Sequence, residues 1–189
     1  MYKELEPYIK SHGKIGEKKL QQIIKFFKPI RTTRNERLSN LGQVCKHFYF
    51  IRKSFLRSNE INTKGNQVTG CFALENSVMS VNTSFILRKP SRDCLVPLEQ
   101  SEWLVINHIN FCELVNTYPP FANVYHQFLK FVFIHSQMRI YSFLGMEGID
   151  KLKWATEHEP KLLSRISSKA VASYLGMTNS TLSKLREKS

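Results

Sequence analysis

The fold of this chain is decided by its C-terminal stretch, which reads Ile166-Ser-Ser-Lys-Ala-Val-Ala-Ser-Tyr-Leu-Gly-Met-Thr-Asn-Ser-Thr-Leu-Ser-Lys-Leu-Arg-Glu-Lys-Ser189. The pattern predicts two short helices around a tight turn. Ser167 or Ser168 can cap the first helix, because a serine hydroxyl accepts an unpaired backbone N–H at a helix start. Gly176 follows the last apolar residue of that helix, where a left-handed backbone favours glycine. Thr178 can then cap the second helix.

Each of the two predicted helices has one apolar face, and the residues that form these faces are Val171, Ala172, Leu175, Leu182 and Leu185. The other positions of the second helix are small, polar or basic: Asn179, Ser180, Ser183, Lys184 and Arg186. Short polar side chains and a cation suit the major groove of DNA, so the pattern is typical of a helix-turn-helix. A plain helical hairpin with a solvated polar face is the alternative.

The composition predicts a globular protein with a polyanionic partner. The chain has 189 residues, enough for one large or two small domains, and 42% of them are hydrophobic, enough for a core. Lys and Arg number 28 against 15 Asp and Glu, so the net charge is +13. Such a charge favours nucleic acid, because phosphate neutralisation supplies most non-specific affinity. The alternative is an ordinary basic protein, since residues 1–40 carry twice the excess charge of residues 166–189.

The cysteines give no sign of a metal site. Cys45, Cys71, Cys94 and Cys112 lie far apart without a CxxC or Cys/His cluster, so neither zinc nor an iron–sulfur cluster is expected. The charged N-terminus does not resemble a signal peptide. The sequence contains no stretch of about 20 uncharged apolar residues, so no transmembrane helix is expected. We therefore expect a cytoplasmic protein with reduced thiols and no membrane partner.

The first two thirds of the chain read as helices followed by short strands. Residues 2–28 show a helical pattern, broken around Gly13–Gly16 and ended by Pro29. The candidate strands are Phe48–Ile51, Phe55–Ile61, Gln67–Leu74, Cys94–Val96 and Trp103–Ile106. A hairpin turn is expected at Asn62–Asn66, and a short helix and loop at Asn76–Lys89. Short strands at this spacing favour a barrel or roll over a parallel sheet.

One long apolar helix is expected over Phe121–Leu144, with Pro120 suited to its first turn. At 1.5 Å per residue it spans roughly 36 Å, and its apolar residues cover more than one face. One face could pack on the roll and the other on a second copy, which predicts a homodimer. If Phe128 and Val132 face that copy, a charge at either position would dissociate it. A central core helix in a monomer is the alternative.

A glycine-containing break follows the long helix, at Gly145 and Gly148. Another helix is expected from Asp150 to His158, ending before Pro160. Leu162, Leu163 and Ile166 then lead into the C-terminal helical pair.

This order of helix, roll, long helix and helix-turn-helix resembles the Crp/Fnr family of bacterial transcription regulators, especially its short members from Bacteroidetes. The resemblance covers nearly the whole chain and is carried by Leu41-Gly-Gln-Val-Cys-Lys-His-Phe-Tyr-Phe-Ile51, Ile61-Asn-Thr-Lys-Gly-Asn-Gln-Val68, Lys89-Pro-Ser-Arg92 and Ala172-Ser-Tyr-Leu-Gly-Met-Thr-Asn-Ser-Thr-Leu-Ser-Lys184. It implies an α+β fold with a cyclic-nucleotide-binding-like jelly roll and flanking helices in residues 1–118. A dimerisation helix (119–145) and a helix-turn-helix DNA-binding domain (146–189) would follow.

The resemblance also implies which residues contact double-stranded DNA. Those that match base-contacting positions are Asn179, Ser180, Ser183 and Lys184, and those that match phosphate contacts are Ser168 and Lys169. Ser180 departs from well-known members, which carry glutamate there. A hydroxyl does not accept from cytosine N4 as a carboxylate does, so the usual half-site is not assumed. The sequence leaves no room for the β-wing of longer members, which predicts weaker binding.

The phosphate-binding cassette of the family is incomplete in this chain. Arg92 aligns with the arginine that grips a cyclic phosphate, but Ser91 precedes it instead of following it. The Gly-Glu pair that grips the ribose is missing, since Leu74–Ser84 contains Glu75 but no glycine. Arg92 and Ser91 are candidate ligand contacts, with a surface or interdomain ion pair as the alternative for Arg92. No cofactor and no tight binding of cyclic AMP are expected, and another small-molecule effector or none is favoured.

The sequence is compatible with two functions. The first is a dimeric DNA-binding transcription regulator that senses an unknown ligand or none. The alternative is a degenerate cyclic-nucleotide-binding-like sensor or interaction module without specific DNA binding. An enzyme is not expected, because the histidines form no recognisable ligand or triad spacing: His12, His47, His108, His126, His135 and His158.

Overall fold

The structure, a computed structural model, describes residues 2–61, 65, 67–158 and 160–187. In chain order these residues form α1 (Leu5–His12), α2 (Glu17–Ile24), β1 (Lys28–Thr32), β2 (His47–Lys53), β3 (Leu56–Ile61), β4 (Gln67–Ala73), β5 (Val78–Met79), α3 (Asn82–Leu87), β6 (Asp93–Pro97), β7 (Ser101–Asn107), α4 (His108–Thr117), α5 (Pro119–Gly145), α6 (Gly148–His158), α7 (Pro160–Arg165), α8 (Ser168–Tyr174) and α9 (Asn179–Arg186).

The strands form two antiparallel sheets, one with the order β1-β7-β2-β5 and one with the order β4-β3-β6. Side chains alternate across β2, as the pleat of a strand requires. Phe48 contacts Phe111 of α4, whereas the neighbouring Tyr49 donates its hydroxyl to the Leu38 carbonyl at 2.9 Å. Both residues are buried, so β2 lies between a helical layer and the interior of the roll. The roll, and not a closed barrel, is the arrangement that the described residues adopt.

The long helix α5 divides into a buried and an exposed half. Near its start, Phe121, Val124 and Phe128 are buried in the same core as the roll. Farther along, it exposes a row of large apolar side chains: Phe131, Phe133, Ile134, Met138, Ile140, Tyr141 and Leu144. The condition that Phe128 faces a second copy is not met, because its ring lies 5.2 Å from that of Phe48 in its own roll. Val132 is partly buried against the same core.

The buried residues that the structure describes form two separate hydrophobic cores. The larger one joins the roll, α1, α2, α4 and the first half of α5, and it contains the fully buried Trp103. The indole of Trp103 donates to the Thr32 hydroxyl at 2.9 Å, so its polar atom is satisfied inside the core. The smaller core joins α6, α8 and α9, and Trp154 packs against it from α6. The described residues therefore form a large body around the roll and a small helical body.

The α+β fold with a jelly roll, a long helix and a C-terminal helix-turn-helix is confirmed. The five expected strands are present with ends shifted by up to two residues, and α3 lies within the expected Asn76–Lys89 segment. Elements that the sequence did not predict are β1, β5, α4 and α7. The hairpin turn at Asn62–Asn66 falls, apart from Gly65, outside the described residues. The division into three domains at 118 and 145 stays a prediction.

Candidate nucleic-acid interface

The helix pair α8 and α9 is shaped by its caps and turn. Ser167, and not Ser168, caps α8 by accepting the Ala170 N–H at 3.3 Å. Thr178 caps α9 by accepting the Thr181 N–H at 3.1 Å. Between the helices Gly176 has φ +69, a left-handed conformation that costs glycine little. These local signals fix the angle at which α9 leaves α8.

A small core holds the two helices against α6. Ala172 is 2% exposed, and its short side chain permits the close crossing of α8 and α9. Leu182 of α9 is fully buried in this cluster. At the start of α6, a Cβ on Gly148 would lie 3.0 Å from Leu185 Cδ1, so glycine lets α6 approach α9 closely. The apolar side of α9, with Leu182 and Leu185, therefore packs against this core.

The opposite side of α9 is exposed, together with the start of α8. All six DNA-contact candidates are exposed: Ser168, Lys169, Asn179, Ser180, Ser183 and Lys184. At about 100° per residue, Ser180 and Lys184 lie almost opposite the buried Leu182. Arg186 lies on the flank toward α8, where it donates to the Ser168 hydroxyl at 2.9 Å. The structure thus leaves all six candidates exposed on α8 and α9, while their contacts with DNA stay a prediction.

A cluster of hydroxyl groups stands at the start of α9. Thr178 Oγ1 lies 2.9 Å from Ser180 Oγ and 2.8 Å from Thr181 Oγ1. Each hydroxyl can donate and accept, so this end can meet a phosphate or a base edge with either polarity. Sequence reasoning did not include Thr181 and Arg186 among the candidates. Both residues could have been found from the sequence, since Thr181 directly follows the polar residues Asn179 and Ser180 and Arg186 is a cation in the last turn of α9.

The cassette candidates are not brought together as a phosphate grip. Ser91 is buried, and its hydroxyl donates to the Asp93 carbonyl at 2.6 Å while it accepts the Asp93 N–H at 2.9 Å. Arg92 is exposed at the surface. The hydroxyl of Ser91 is thus occupied in a local turn, where its role is structural.

Asp93 makes this region less suitable for an anion. Burial, and then the neighbouring carboxylate of Glu60, raise the pKa of Asp93 to about 6, while Arg92 acts in the opposite direction. Its Oδ1 atom is buried and has no hydrogen-bond partner among the described residues. A bound anion would therefore be repelled by Asp93 and Glu60, two carboxylates that already repel each other.

Beside Asp93, a cavity of about 910 Å³ separates the β4-β3-β6 sheet from α5. Cys71, Arg139 and Tyr174 contribute to its walls. Burial raises the pKa of the Cys71 thiol to about 11, so it stays protonated near neutral pH and is a poor nucleophile. The cavity therefore offers apolar walls with a few polar groups, as small-molecule sites do.

The described part of the chain holds neither a metal-binding cluster nor a membrane-spanning helix. No three His, Cys, Asp or Glu residues in it are grouped so that they could hold a metal ion. Within the same residues, no helix combines the length and the apolar character needed to span a membrane.

Comparison with known proteins gives matches among solved structures. No family model and no curated protein matches the chain. It is similar to the c-di-GMP-responsive global regulator CLP of Xanthomonas campestris, with 12% identity, a TM-score of 0.74 and coverage of 92% of this chain and 91% of that one. It is similar to FixK2 of Bradyrhizobium japonicum, with 12% identity, a TM-score of 0.73 and coverage of 86% and 83%.

A transcriptional regulator of the Crp/Fnr family from Eubacterium rectale matches with 10% identity, a TM-score of 0.72 and coverage of 92% of this chain and 83% of that one. Each of these likenesses covers 86–92% of this chain and 83–91% of the other chain. The resemblance to the Crp/Fnr family is therefore confirmed at the level of the fold.

Proposed function

We propose that this protein is a dimeric DNA-binding transcription regulator of the Crp/Fnr type that acts in the cytoplasm and senses an unknown ligand or none. The observation that carries the proposal is the capped helix pair α8–α9, whose second helix buries Leu182 and turns a polar, basic face outward. The structural neighbours support it, since CLP and the Eubacterium rectale protein are regulators by name.

In this proposal α9 enters the major groove of double-stranded DNA. Lys184 can donate to guanine, and Asn179 can pair both ways with adenine. Ser168 and Lys169, at the start of α8, would contact phosphates and set the register. The net charge of +13 adds the sequence-independent attraction that such proteins use.

The exposed half of α5 supports a homodimer. Phe131, Ile134, Met138 and Tyr141 follow one another at spacings of three and four residues, the seam of a paired helix. A contiguous apolar surface of this kind usually marks an interface. Pairing two copies along it would present two α9 helices to successive major grooves, about 34 Å apart.

The proposal is tested by selecting bound sequences from a random duplex pool with the full-length protein. We expect enrichment of one sequence that is two-fold symmetric or nearly so, bound roughly 1,000-fold or more tightly than random duplex. Affinity for both should fall steeply between 50 and 200 mM salt, as counterion release requires. Salt-dependent binding without any enrichment would instead identify a module that has lost specific recognition.

A further inference from the structure

The helix-turn-helix is docked on an edge strand of its own roll. In the sheet order β4-β3-β6, β4 is an outer strand, so one side of its backbone has no strand partner among the residues that the structure describes. The N–H of Thr69 in β4 donates to Ser173 Oγ of α8 at 3.1 Å, and the Thr69 carbonyl accepts from Arg139 Nη2 of α5 at 2.8 Å. Thr69 is 1% exposed, so these two contacts satisfy backbone groups that have lost water.

A second contact lies at the C-terminal end of α7. Arg165 donates to both carboxylate oxygens of Glu75, at 2.8 and 3.0 Å, and to Glu99 at 2.8 Å. Exposed ion pairs are usually worth little. Here one guanidinium makes a two-point contact and bridges two loops of the roll, which gives the contact a defined geometry.

Aromatic rings connect these two contacts. The guanidinium of Arg165 lies 5.3 Å from the ring centre of Phe55, which stacks on Phe72 at 5.3 Å. Phe72 meets Tyr174 of α8 edge-on at 5.5 Å, and the guanidinium of Arg139 lies 4.7 Å from the Tyr174 ring centre. Three aromatic rings therefore form a row with a guanidinium at each end. This row connects the helical region of α7 and α8 with the roll and with the long helix α5. We call all of these contacts the docking seam.

We propose that the docking seam positions the helix-turn-helix for DNA binding, so that the protein reads its site without an effector. The seam uses α7 and the end of α8 and leaves α9 free of it. Ser180 and Lys184 remain exposed in the docked state, so docking does not cover the reading face. A domain that is already oriented loses less freedom on binding and therefore binds a two-half-site operator more tightly. This inference rests on the proposed function.

The test removes the acceptors of Arg165 and leaves the cation in place. In the full-length Glu75→Ala/Glu99→Ala variant, affinity for the selected DNA site should fall roughly 10-fold, as expected when an orienting tether is lost. The loss of two negative charges would by itself raise affinity for DNA. A Glu113→Ala/Glu157→Ala variant removes two exposed acids outside the seam, and its affinity should stay equal or rise.

Hydrogen exchange supplies a readout that needs no DNA. The Thr69 amide should exchange at least about 10-fold faster in the seam variant than in the control, because its bond to Ser173 opens more often. Unchanged exchange would overturn the seam as a docking device. Faster exchange with equal or higher DNA affinity would overturn the positioning role. If the unmodified protein enriches no DNA sequence in the absence of an added effector, reading without an effector is overturned, whether or not the proposed function holds. Hydrogen exchange still shows whether the seam holds the domain.

Discussion

Among single residues, Lys184 separates base reading from simple electrostatic attraction. It lies almost opposite the buried Leu182 on α9, so it should meet base edges at the groove floor. We expect Lys184→Ala to cost about 1–3 kcal/mol on the selected site and much less on random duplex, measured by fluorescence anisotropy. Lys169→Ala, which removes the same charge at the start of α8, should weaken both alike.

Two results would contradict this assignment of Lys184. An equal loss on both duplexes would make the residue an electrostatic anchor. No loss on either duplex would mean that α9 does not read DNA.

Asp93 should make stability depend on pH in an unusual direction. Its pKa is raised from 3.8 to about 6, so between these pH values the folded state holds a proton that the unfolded state releases. Stability therefore falls as pH rises through this range and then stays level. Above pH 6, Asp93→Asn should raise the free energy of unfolding by about 1–2 kcal/mol, a value reduced for the screening of this partly exposed group by solvent. Below pH 4 the substitution should leave the free energy of unfolding unchanged.

Thermal melts at pH 4 and pH 7.5 check this prediction for Asp93. A gain of about 1–2 kcal/mol corresponds to a few degrees in a protein of this size. Glu113→Gln, at an exposed position of α4, is the matched control and should melt like the unmodified protein at both pH values. An equal gain for Asp93→Asn at both pH values would rule out the ionisation as its cause.

For the elements, the sharpest prediction concerns the two halves of α5. Met138→Glu would place a charge in the exposed apolar row of α5 through which two copies are proposed to pair. We expect this variant to give folded monomers in analytical ultracentrifugation at micromolar concentration. Phe128→Ala, in the buried half, should instead lower stability by about 3–5 kcal/mol and leave the folded protein dimeric. A monomeric unmodified protein under the same conditions would end the dimer proposal.

Elements with strong local signals could be predicted from the sequence. The turn between α8 and α9 is one case, because Gly176 and Thr178 act through their own backbone and nearest neighbours. Strand β1 was missed because Lys28-Pro-Ile-Arg-Thr32 contains a proline and charges. Such a sequence is tolerated because β1 is an edge strand, whose outer side needs no donors.

The candidate site was predictable to the same extent and for the same reason. The polar face of α9 follows from helical spacing around Leu182, so its residues could be named in advance. The docking seam could not, because Arg165 meets Glu75 and Glu99 across sequence separations of 90 and 66 residues. Such contacts depend on how the helix-turn-helix sits on the roll, which no local pattern encodes.

For the whole molecule, we expect no tight binding of cyclic AMP. Ser91 is occupied by its own turn, and the Asp93–Glu60 pair opposes an incoming phosphate. Isothermal titration calorimetry should give a dissociation constant well above about 10 μM, which corresponds to roughly 7 kcal/mol. A tighter constant would show that the cavity binds the nucleotide through residues other than the cassette.

The separation into two hydrophobic cores has an optical consequence. The chain has two tryptophans: Trp103 is buried in the larger core, and Trp154, on α6, packs against the smaller core. In Trp103→Phe the remaining tryptophan, Trp154, reports only on the small helical body. In Trp154→Phe the remaining Trp103 reports only on the roll. Fluorescence of the two variants during a denaturant titration therefore shows whether the DNA-reading part melts together with the roll or before it.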